Sequence, residues 1–65
     1  MVDGYYTAIR QALVKAGFEY VGNAKGSHEK WQHAETGKLL LVPRNLKSRH
    51  TANAIAKDAG LGKLF

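Results

Sequence analysis

Two helical stripes, one toward each end of a 65-residue chain, constrain this sequence more than any other feature. In the first, Tyr6, Ile9, Leu13 and Ala16 recur at spacings of three and four, the repeat that stacks side chains on one helix face. Tyr5 and Ala12 widen the stripe. The Asp3 carboxylate is placed to cap the first turn, and Arg10 and Lys15 lie toward the end where the helix dipole favours cations. Gly17 supplies a left-handed stop and Phe18 folds back on the last turn, so a helix is expected over about residues 4–16. In the second stripe, Ala52, Ile55, Ala56 and Ala59 form the buried face of a helix over about 49–59, capped by Ser48 or Thr51 and ended by Gly60 and Leu61. Its side chains are small, which requires close approach to whatever it covers.

The middle of the chain carries strand signals. Phe18-Glu19-Tyr20-Val21 is a β-prone run that meets Gly22-Asn23, giving a strand at about 18–22. Residues 27–34 alternate in part and read as a second strand, and Glu35-Thr36-Gly37 as a hairpin turn in which Gly37 is free to take positive φ. A third strand at about 38–43 contains Leu39-Leu40-Leu41-Val42, an unbroken run of the kind covered on both faces, or nearly so, and Pro43 closes it. Helices on one side of the sheet would leave half of that run to a partner. The tail at 62–65 includes Leu64 and Phe65, which dock or stay loose. The fold class is α+β: a two-layer sandwich in α-β-β-β-α order with a three-stranded antiparallel sheet, the order of the double-stranded-RNA-binding fold. Order alone does not give function.

A chain this short makes one domain and buries only about 60% of the surface its unfolded form exposes, so a bound partner is a natural source of stability. It has no cysteine, which excludes disulfides and argues against a zinc knuckle. Met-Val-Asp-Gly-Tyr-Tyr has neither the basic nor the apolar region of a secretory signal, and the apolar run from Leu39 to Pro43 is too short to span a membrane. The expectation is a soluble cytoplasmic domain. Ten Lys and Arg against five Asp and Glu give net +5, which favours polyanionic partners, nucleic acid first.

The chemistry concentrates in Gly26-Ser27-His28-Glu29-Lys30-Trp31, with Lys25 just before it. An imidazole titrates near pH ~6.5 and so serves as both base and acid near neutrality. RNA cleavage needs a base for the 2′-hydroxyl and an acid for the 5′-oxygen, and nearby lysines would hold the phosphorane's charge. Taken by itself, His28 reads more simply as a partly exposed strand residue. Candidate RNA contacts are Lys25, Gly26, Ser27, Lys30, Lys47 and Arg49, read against a plainly solvated face; Gly26 also answers a turn requirement. His33 stands five residues from His28, an odd separation that puts the two on opposite strand faces, so no shared metal site is expected. His50, beside Arg49, opens the second helix and reads as a surface residue. Ser27-His28-Glu29 is not a triad, because consecutive strand residues face opposite ways. Trp31 could stack a base, but a lone tryptophan in a chain of this size reads as core.

Three blocks carry a resemblance. Gly26-Ser27-His28-Glu29-Lys30-Trp31, then Leu41-Val42-Pro43-Arg44, then Ser48-Arg49-His50-Thr51-Ala52-Asn53-Ala54-Ile55 through Ala59-Gly60-Leu61 closely resemble the HicA-type toxins of bacterial type II toxin–antitoxin systems, over about Tyr5 to Gly62. The resemblance implies a double-stranded-RNA-binding-like fold and a ribosome-independent mRNA endonuclease with no metal or organic cofactor. It places the catalytic histidine at His28 and implies a HicB-type antitoxin that covers it. Many members carry a histidine just after the Val-Pro of the third strand; this chain has Arg44-Asn45, which leaves substrate preference and any second catalytic group, His50 included, open. The competing reading is a non-catalytic RNA-binding module of the same fold, which would span about 16 base pairs of duplex. A piece of a larger ribonucleoprotein is a third.

Overall fold

The computed structural model describes residues 4–65. Five elements follow in the expected order: α1 Tyr6–Lys15, β1 Phe18–Lys25, β2 His28–His33, β3 Leu39–Pro43 and α2 Arg49–Asp58. The strands form one antiparallel sheet in the order β1-β2-β3. Both helices pack on the sheet face that presents Phe18, Trp31, Leu40 and Val42, and with Ile9, Leu13, Leu46, Ala52, Ile55 and Ala56 these make one core. The fold is thus the α+β arrangement expected from the two stripes.

Ile9 and Leu13 bury completely, as their spacing requires. The proposed cap Asp3 lies outside the described residues. Helix α1 starts at Tyr6, and Tyr5, which precedes it, makes no side-chain cap. The Tyr5 N–H instead donates to the Leu46 carbonyl at 2.7 Å, which ties the helix start to the β3–α2 connection. Helix α2 is capped by Ser48, whose Oγ accepts from the Thr51 N–H at 3.3 Å. Ala52 and Ala56 are fully buried, so the small face sits close to the sheet. The tail is held: Asn53 Oδ1 accepts from the N–H groups of Leu64 and Phe65, and the Phe65 ring meets Tyr5 edge-on at 4.9 Å.

Two expectations change. Strand β1 does not stop at Gly22-Asn23 but continues to Lys25, because register shifts between Tyr20 and Gly22 and between Asn23 and Lys25 absorb these residues as irregularities in the ladder. The Leu39–Val42 run is covered on one face only. Leu40 and Val42 point into the core, while Leu39 and Leu41 are each 56% exposed on the face that no helix covers.

Gly17 ends α1 with φ +95, and a Cβ there would lie 3.0 Å from His33 Nε2. Gly17→Ala is therefore expected to cost about 1–2 kcal/mol for the left-handed backbone, and more for displacing the His33 ring. The midpoint of urea unfolding should fall with an unchanged slope.

Candidate active site

The two-residue connection Gly26–Ser27 joins β1 to β2. Gly26 has φ +58 and Ser27 is not left-handed, the combination of a II′ hairpin turn with glycine first. This turn sets His28 at the first position of the central strand. Its Cα partners are Lys25 on β1 and Pro43 on β3. His28 and Lys30 are exposed, and they alternate with the buried Glu29 and Trp31, so they share the uncovered face. Lys30 stands opposite Leu41, which extends that face as an apolar strip. Beyond its own chain neighbours, nothing lies within 4 Å of where a Gly26 side chain would begin, so a ligand has open access to the turn backbone.

The strand register therefore brings Lys25, Gly26, Ser27 and Lys30 around His28. Lys47 and Arg49 are exposed on a different segment, the β3–α2 connection and the first residue of α2. That connection begins beside the turn, because the Arg44 N–H donates to the Ser27 carbonyl at 2.9 Å. His50 is exposed in the first turn of α2.

His33 has a structural task. Its Nδ1 accepts from the N–H groups of Glu35 and Thr36 at 3.1 and 3.2 Å, which assigns the proton to Nε2, and Nε2 then donates to the Ala16 carbonyl at 3.0 Å. The ring thereby clamps the β2–β3 turn to the end of α1 and also meets Phe18 edge-on. Both nitrogens are occupied, so His33 is spent on the fold.

Sequence reasoning missed Glu29. It is buried on the helix-covered face at 5% exposure, directly behind His28 in the chain. Oε2 accepts from Tyr6 Oη at 2.8 Å and lies 3.5 Å from Arg44 Nε, and Oε1 accepts from Trp31 Nε1 at 3.0 Å. The carboxylate thus ties α1, β2 and the end of β3 together. The strand period was the available signal: if Trp31 is core, the residue two before it faces inward as well. No buried side-chain polar atom among the described residues lacks a partner.

Burial, and after it the hydrogen bond to the Glu29 carboxylate, raises the Tyr6 phenol above the usual tyrosine value of about 10. The folded chain thus holds this proton more tightly than the unfolded one. The stabilisation is complete below pH ~10 and is lost as pH rises through the higher folded value. Tyr6→Phe lacks this contribution, so the stability gap between wild type and variant should narrow above pH ~10, as read by urea unfolding across the alkaline range.

Among the described residues, no three His, Asp or Glu side chains gather as a metal-ion site, and no helix is long and apolar enough to cross a membrane. A family model for the HicA toxin of bacterial toxin–antitoxin systems matches residues 7–61. Comparison with curated proteins and with solved structures gives no match.

Proposed function

Because the chain belongs to the HicA toxin family of bacterial toxin–antitoxin systems, we propose that it acts in the cytoplasm as a metal-independent endoribonuclease on mRNA, with His28 as its proton-transfer group. The observation that carries this reading is the contrast between the two histidines of β2. His28 is exposed on the uncovered sheet face beside Lys30, whereas His33 has both nitrogens committed to the fold.

In this mechanism a single strand of RNA lies over the β1–β2 turn. The His28 imidazole takes the proton of a 2′-hydroxyl as that oxygen attacks the adjacent phosphorus. The ammonium groups of Lys25 and Lys30 offset the charge that builds on the phosphorane. The imidazolium then returns its proton to the departing 5′-oxygen. The P–O5′ bond breaks, leaving a 2′,3′-cyclic phosphate and a 5′-hydroxyl. The Gly26 and Ser27 backbone, Lys47 and Arg49 hold flanking phosphates. A HicB-type antitoxin inhibits by covering His28 and the exposed Leu39 and Leu41 side chains, which call for an apolar cover.

Analysis of the product ends tests the chemistry. Cyclic phosphate with 5′-hydroxyl is the expected pair. A 5′-phosphate product would exclude attack by the 2′-hydroxyl. Tight duplex binding with no cleavage would instead mark a non-catalytic RNA-binding module.

A further inference from the structure

On the helix-covered side of the sheet, a cavity of about 260 Å³ opens between α1 and β1–β2, lined by Tyr6, Arg10, Tyr20, Glu29, Trp31 and Arg44. The mechanism above uses none of these residues. Three of their properties point to one kind of ligand.

The first is the charge at the cavity. Arg10 and Arg44 both line it against the single carboxylate of Glu29, and Arg10 has no carboxylate partner among the described residues. Two guanidinium groups against one carboxyl group favour an anion such as a phosphate. The second is an aromatic wall. Tyr20 is 50% exposed, with its ring 5.9 Å from Trp31 in an edge arrangement and its hydroxyl held by Asn23 Oδ1 at 2.9 Å. An aromatic ring fixed at a cavity mouth is a stacking platform. The third is a pair of acceptors, Glu29 and Tyr6, beside the arginine donors. Glu29 Oε2 already accepts from Tyr6 and faces Arg44, Oε1 has accepted only from Trp31 and keeps one lone pair, and Tyr6 Oη, having donated, keeps its own. Two neighbouring acceptors take an edge of adjacent donors. Guanine presents N1–H beside its 2-amino group; adenine and cytosine set an acceptor next to their amino group, and uracil flanks its single N–H with carbonyls.

The volume sets the rest. It lies just below the roughly 300–1,000 Å³ of sites that take whole drug-sized ligands, which leaves room for one base with the exposed Arg10 and Arg44 side chains beside it. We infer that this cavity is a subsite for one guanine of single-stranded RNA, on the opposite sheet face from His28. The two sites share one end of the sheet, since the Arg44 N–H is bonded to Ser27, the residue before His28. An RNA strand rounding that end reaches both. The inference takes its ligand from the RNA-substrate reading above, but binding here needs no cleavage.

Trp31, the chain's one tryptophan, lines the cavity and reports on it. The test titrates the 65-residue His28→Ala chain with 5′-GMP, 5′-AMP, inorganic phosphate, and short single-stranded RNAs differing by one G-to-A change, following Trp31 emission. GMP should bind saturably and about tenfold more tightly than AMP, with phosphate weaker than either. The G-containing RNA should bind at least as tightly as GMP. Tyr20→Ala should weaken GMP binding about tenfold, and Arg10→Ala should weaken GMP and phosphate alike; both side chains are exposed, so circular dichroism should show the fold intact. No saturable binding, equal affinity for GMP and AMP, phosphate as tight as GMP, or an unaffected Tyr20→Ala would each overturn the guanine subsite. A G-containing RNA weaker than GMP would overturn its assignment to RNA. Because binding is scored without cleavage, a failure here leaves the nuclease reading standing, and a wild-type chain that does not cleave leaves the binding result standing.

Discussion

Replacing His28 with alanine is expected to slow RNA cleavage by about 10²–10⁴-fold, the range that one general acid–base group contributes. The fold should not suffer. His28 is exposed at a strand start, makes no side-chain hydrogen bond among the described residues, and lies outside the core. Circular dichroism and the urea midpoint should match wild type, which separates lost chemistry from lost structure. Lys30→Ala should cost less, because an exposed ammonium beside a phosphate is partly replaced by solvent and salt. A His28→Ala chain that cleaves at the wild-type rate would remove this residue from the mechanism.

Glu29→Ala should give the opposite pattern, with large damage to the fold first. It removes the acceptor for Trp31 Nε1, which is buried, and for the part-buried Tyr6 hydroxyl. Orphaning a buried donor costs about 1–3 kcal/mol. The Arg44 pair adds little, since that side chain is 63% exposed. The expected total is about 2–4 kcal/mol, against a whole-domain stability of roughly 3–10 kcal/mol at this chain length. The variant should unfold at a clearly lower urea midpoint. Glu29→Gln keeps one carbonyl acceptor and should lose less. An unchanged midpoint in Glu29→Ala would mean the carboxylate does not hold α1 to the sheet.

Local rules made the architecture readable. Ile9 and Leu13, Gly17 and Gly37 state their periods and turns within a few residues of sequence, and the structure follows them. Long-range partners were less visible. The strand period turns Glu29 inward with Trp31, but the partners that satisfy it there, Tyr6 from α1 and Arg44 from the end of β3, come from far along the chain. The odd spacing of His28 and His33 separated their faces, but the clamp that His33 makes on Ala16 depends on where α1 ends in space. The four apolar residues 39–42 could not distinguish a strand covered twice from one covered once, because side-chain composition does not record how many layers pack on a sheet. Gly22 and Asn23 looked like a stop; inside a twisted edge strand they are tolerated as irregular register. His28 itself stood out through its neighbours and the family resemblance more than through any pattern of its own.

The most direct test of the central claim is the rate of cleavage of a long single-stranded mRNA in excess EDTA, with wild-type and folded His28→Ala chains side by side. The account predicts that wild type cleaves undiminished by the chelator and that the variant falls by at least about a hundredfold. No cleavage by wild type, cleavage that requires added metal, or equal cleavage by both chains would contradict it.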